Sequence, residues 1–103
     1  MKNTDKKLTP LGDGPEKDFN EEHWFHYSIL GKDELYQSPI KDEIIAYVDG
    51  DEQLAMVLNH WFGKEYKKWM ESIVPAMEGI TGAECLKSEQ GRRRLYTVLM
   101  RMR

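Results

Sequence analysis

A single cysteine, Cys85, stands among 103 residues. One thiol forms neither an intramolecular disulfide nor a thiolate zinc cluster, so cysteine-stapled scaffolds are excluded and a reducing compartment is expected. No apolar run approaches the ~20 residues of a membrane span, and MKNTDKKLTP at the N-terminus has no apolar stretch suited to a signal peptide. A cytoplasmic protein with no membrane partner is expected. Phosphate loops, dinucleotide fingerprints and nucleophile motifs are also missing. With the small interior that ~100 residues enclose, these absences point to a protein that is no enzyme and carries no cofactor.

Arginine is missing from the first half. Residues 1–54 hold six Lys and no Arg against thirteen Asp or Glu, a balance of −7, whereas residues 55–103 hold nine Lys or Arg against five Glu, a balance of +4. Such a basic end suits phosphate or a carboxylate-lined protein surface. Residues 1–18 have almost no apolar content but contain Pro10, Gly12, Gly14 and Pro15, and a flexible tail is expected there. From Phe19 to Tyr36 no single period holds, and a short helix with a turn or a hairpin both fit.

Helical spacing is clear after Ser38, which is placed to cap a helix starting at Pro39, with Ile40, Ile44 and Val48 on one face. Asp49 and Glu52 have capping-box spacing before Leu54, Val57, Leu58, Trp61 and Phe62. Gly63 ends that helix, and Tyr66, Trp69, Met70 and Ile73 predict a shorter one closed by Pro75. Thr81 with Glu84 starts the next, and Ser88 caps the last, where Leu95, Val98, Leu99 and Met102 share a face. The reading is an all-α bundle of four to six short helices, one domain over 19–103, with Trp61, Trp69, Leu95 and Leu99 buried together.

Trp69, Pro75 six residues on, Ala76 and Met77, Gly79, Thr81, Glu84, Leu86, Ser88 with Glu89 and Gly91, then Leu95, Val98 and Leu99 form an ordered series. Over about 40 residues, 62–102, it resembles the toxin-binding domain of the Xre/MbcA/ParS antitoxin family. The resemblance implies that residues 55–103 are a toxin-binding module, that the chain pairs as a homodimer, and that its partner is a RES-domain toxin consuming NAD, inhibited by covering its active site. The implied partner surface is Arg92, Arg93, Arg94, Arg101, Met102 and Arg103, because a guanidinium fork makes paired hydrogen bonds to carboxylate or phosphate. Trp69, Pro75, Gly79, Thr81, Glu84 and Gly91 are structural: Thr81 caps, Glu84 answers it, and Gly91 permits a close approach.

The sequence departs from the family in three places. Gly82 stands where the family has Pro; the chain reaches Arg103 where many members continue; and residues 1–54 show no helix-turn-helix and few basic residues, which argues against DNA binding. The alternative from another class is a small nucleic-acid-binding regulator using the Arg-rich last helix, with Tyr96 stacking on a base. A metal site at His23 and His26, with Glu22 beside them and His60 elsewhere, has no third ligand at recognisable spacing, so no metal is expected. Cys85 reads as a packed thiol. The small core, together with the resemblance, suggests Met56, Tyr96 and Met100 at a two-fold interface.

Overall fold

Four short polar side chains set where helices begin. In the computed structural model, which describes residues 15–73 and 79–102, Asn20 accepts from the His23 amide and opens Glu21–Ser28 (α1). A 3-10 turn over Ile29–Gly31 leads into Lys32–Tyr36 (α2), and Lys41–Tyr47 (α3) follows. Asp51 accepts from Leu54 N–H at 3.1 Å and opens Glu52–Phe62 (α4), which Gly63 ends at φ 54° before a second 3-10 turn and Tyr66–Met70 (α5). Thr81 and Glu84 form the full capping box of Gly82–Cys85 (α6), and Ser88 accepts from Gly91 N–H to open Glu89–Met100 (α7). Each cap satisfies an amide that the first helical turn leaves without a partner.

The protein is all-α: α1 with α2 and α4 with α5 run on through their 3-10 turns, giving five helical runs among the described residues. No strand occurs among them; Ile73 and Thr81 make one isolated bridge. None of these helices is long and apolar enough to cross a membrane. Residues 21–36 are helical, which resolves the choice left open by the irregular apolar spacing from Phe19 to Tyr36.

Several starts differ from the expected ones. The helix expected from Pro39 begins at Lys41, because Ser38 Oγ accepts from Ile40 N–H and turns the chain there. Asp49 takes φ 57° and belongs to the turn that closes α3, so Asp51 is the cap of α4. The last four residues of the segment expected as a tail, Pro15–Asp18, form a 3-10 turn. Residues 1–14 lie outside the described residues, as do Pro75 and Arg103.

Asn20–Ser72 form one compact unit, and the described residues on either side of it form a second. The division falls at Ser72, which groups residues 55–72 with the first unit. In the Asn20–Ser72 unit the buried residues include Trp24, Leu35, Ile44, Val48, Leu54, Leu58, Tyr66 and Met70. Trp61 and Trp69, expected inside with Leu95 and Leu99, are half-buried members of this unit. Trp61 donates its indole N–H to Tyr27 Oη at 2.7 Å, and Trp69 stacks on Phe62 at 4.8 Å. An indole needs a polar partner for its edge, which favours the rim over the interior. Met56, expected at a two-fold interface, is buried within this unit.

In the second unit Leu95, Val98 and Leu99 point inward from α7 beside buried Cys85. Gly91 is needed there: a Cβ on it would lie 2.5 Å from the Cys85 carbonyl oxygen. Helix α7 meets the end of α6 at backbone distance, as the sequence suggested. Gly91→Ala is expected to destabilise the protein by about 1–3 kcal/mol, because the backbone of α6 must move to admit the methyl group. Thermal and urea unfolding of the variant measure this; unchanged stability contradicts the close approach.

Candidate functional site

Helix α7 carries the arginines on which a partner surface was expected. Its first turn is fixed by Ser88, and its inward face by Leu95, Val98 and Leu99, so the intervening positions are left to point elsewhere. The structure separates the arginines sharply. Arg94 is 1% exposed and already paired within the chain, whereas the sequence reading placed it on an open partner surface. Its Nε donates to Glu16 Oε1 at 2.7 Å and its Nη2 to Oε2 at 3.2 Å, so the guanidinium fork grips one carboxylate with two parallel bonds. Gln90 Nε2 donates to the same Oε2 at 2.6 Å. A charge buried this deeply has to be paired, and Glu16, itself only 10% exposed, is the pair.

Two more arginines are held at the surface. Arg101 Nη2 donates to Asp18 Oδ2 at 2.8 Å, with both side chains more than half exposed. Arg93 bonds Glu89 one turn back at 2.6 Å and lies over the Phe19 ring, 5.9 Å from its centre. Phe19 in turn packs on Tyr96 at 5.7 Å. Arg92 and Met102 are half-buried. Arg103 lies outside the described residues.

The residues that sequence reasoning missed are therefore Glu16, Asp18 and Phe19, with Gln90 as the second donor. A signal for them existed. An acidic first half and a basic last helix of one chain are natural partners, and Glu16-Lys17-Asp18-Phe19 is the acidic segment that ends in an aromatic ring. Reading residues 1–18 as a tail hid it.

The electrostatics follow from this geometry. Burial alone would raise the Glu16 carboxyl, but the hydrogen bonds from Arg94 and Gln90 outweigh it and hold the pKa at about 2. Cys85, enclosed between α6 and α7, has its thiol pushed up to about 11 by burial. It is a packed thiol without nucleophilic character at neutral pH.

The other sequence candidates stay apart. His23 and His26 are both exposed; His23 lends its amide to Asn20 and His26 lies against Phe25. His60 Nδ1 sits 2.9 Å from Glu34 Oε1, and no cluster of three metal-binding side chains occurs among the described residues. A small apolar cavity of about 90 Å³ lies in the Asn20–Ser72 unit between Tyr27, Leu30, Val57 and Trp61. Of the family-like positions, Thr81, Glu84 and Gly91 occupy the structural roles expected for them, and Gly79 takes φ 96° in a turn. Comparison with known proteins adds no relative: no protein-family model, curated protein or solved structure matches this chain.

Glu16 is charged in the folded protein at any pH well above 2, whereas in the unfolded chain it protonates near 4.5. A lowered folded-state pKa contributes stability that is complete above the unfolded value and is lost as pH falls through the folded one. Glu16→Gln is expected to cost about 3–5 kcal/mol at pH 7, since Arg94 remains buried without its counter-charge. The gap between wild type and variant should narrow as pH drops from 4.5 towards 2. Urea unfolding of both proteins across that range tests it. For Cys85, the rise from 9.0 to about 11 leaves about 100-fold less thiolate at pH 8. Labelling by a thiol reagent should therefore be far slower in the native protein than in urea, and equal rates would contradict the packing.

Proposed function

We propose that this chain is an antitoxin-like module that grips a partner toxin and acts by binding alone. The observation that supports the reading is a last helix with an apolar inner face, caps at Thr81 and Ser88 before it, and arginines carried outward at Arg92, Arg93 and Arg101. The ordered series Trp69, Pro75, Gly79, Thr81, Glu84 and Gly91 leads to the Xre/MbcA/ParS-like toxin-binding domain, and hence to a RES-domain toxin whose NAD-binding cleft would be covered. Because Arg94 is already paired inside the chain, the first contact is proposed at Arg92, Arg93, Arg101, Met102 and Arg103. A homodimer belongs to the same reading, with half-buried Tyr96 and Met100 available to a two-fold surface.

The nucleic-acid alternative is less well supported. Glu16, Asp18 and Glu89 stand against three of the arginines of α7 and would oppose a phosphate backbone. Salt separates the two: phosphate binding weakens by orders of magnitude as salt rises, whereas a protein complex with an apolar centre persists.

The test is co-purification with the product of the adjacent gene, followed by Arg101→Ala with Arg103→Ala. Each charge-assisted hydrogen bond at a buried interface is worth about 1.5–3 kcal/mol, so the pair should weaken binding by about 10²–10⁴-fold. A double variant that melts like wild type and inhibits the toxin at wild-type potency refutes this surface. Sedimentation at micromolar concentration checks the dimer.

A further inference from the structure

The face of α7 that carries Arg94 and leads to Arg101 is already occupied by the chain itself. Glu16, Asp18 and Phe19 each have their own receiver on that one helix: Arg94 with Gln90, Arg101, and the Tyr96 ring beside Arg93. The segment that presents them is one 3-10 turn, closed by Phe19 N–H bonding Glu16 O at 3.0 Å. In such a turn residues i and i+3 eclipse, so Glu16 and Phe19 leave the backbone on the same side. A turn of four residues is too short to be stable alone, and its place is set by what α7 offers.

We propose that this face of α7 is a receptor for an acidic protein segment of pattern Glu-x-Asp-aromatic, and that residues 16–19 fill it until such a segment of a partner displaces them. The inference rests on the reading of α7 as the partner face. A partner carboxylate in place of Glu16 keeps the Arg94 fork paired, so exchange never strands a buried cation, whereas simple dissociation does. The planar fork with the added Gln90 donor selects a carboxylate with both oxygens presented, and Arg101 selects a second acid two residues on. Acidification is no substitute for competition, because Glu16 keeps its charge down to about pH 2. Tethering supplies the turn at millimolar effective concentration, which sets the affinity that a partner segment has to exceed.

The experiment uses the full chain and a dye-labelled peptide copying residues 14–20, read by fluorescence anisotropy. Because Glu16→Gln strands Arg94, the turn is loosened by Asp18→Asn with Phe19→Ala, which alters an exposed and a half-buried group. The peptide should bind the loosened chain at least 10-fold more tightly than wild type, and a peptide with Gln in place of Glu16 should lose that binding. If the double variant fails to melt cooperatively, Asp18→Asn alone carries the same comparison. Equal binding to wild type and loosened chain, no binding up to millimolar peptide, or indifference to the Glu16→Gln change overturns the proposal. Concentration-dependent self-association of the loosened chain with no peptide binding also overturns it, by assigning the face to a second copy. An inert peptide leaves the toxin reading standing, whereas loss of toxin binding with peptide binding intact does the reverse.

Discussion

The guanidinium of Arg94 lies inside the protein, and the arrangement around it follows from that fact. A cation out of water has to have a carboxylate within reach, and one that accepts two parallel hydrogen bonds compensates it best. Glu16 is that carboxylate, and its position brings in Asp18 and Phe19, which settle on Arg101 and on Tyr96 with Arg93. Residues 15–19 thereby become part of the unit that contains α6 and α7. Replacement of such a pair by apolar side chains is often neutral or stabilising in other proteins, so stability alone is a weak reason for its presence. Reversible occupation of the helix by an acidic segment is a stronger one.

This arrangement gives the uneven charge of the chain a concrete meaning. The acids at 16 and 18 and the arginines of α7 are an intramolecular match, and only part of the basic excess remains for another molecule. The same match disfavours a phosphate ligand, since each carboxylate would have to be pushed aside by another anion. The acids of a protein partner have to displace the same carboxylates, but a partner that also carries an aromatic ring replaces the Phe19 contact, which a phosphate alone does not.

Much of the fold was legible because its signals are local. The apolar spacing of α4 and α7, the Thr81 to Glu84 capping box, the Ser88 cap and the need for glycine at 91 each follow from residues within one or two turns. Two caps were displaced by a neighbouring turn: Ser38 closed a turn instead of a helix, and Asp49 adopted left-handed backbone so that Asp51 took the cap. The burial of Arg94 was not legible. Its helical phase lies next to the Leu95 and Val98 face, and only a carboxylate far off in sequence decides whether such an arginine turns in or out. Trp61 and Trp69 were placed too deep for a related reason, because hydrophobicity does not record that the Trp61 indole edge bonds Tyr27 or that Trp69 stacks on Phe62.

Glu16 and Arg94 are 78 residues apart in sequence. The Asn20–Ser72 unit lies between them in sequence and is a continuous stretch in which α1, α2, α3 and α5 all pack on α4, so its ordering closes loops far shorter than the one between Glu16 and Arg94. The second unit is built from both flanks, and its closure entropy depends on how extended the intervening chain still is. Prior ordering of residues 20–72 shortens that loop. Folding should therefore proceed from the middle outward, with the docking of the 3-10 turn on α7 as the late event that closes the second unit.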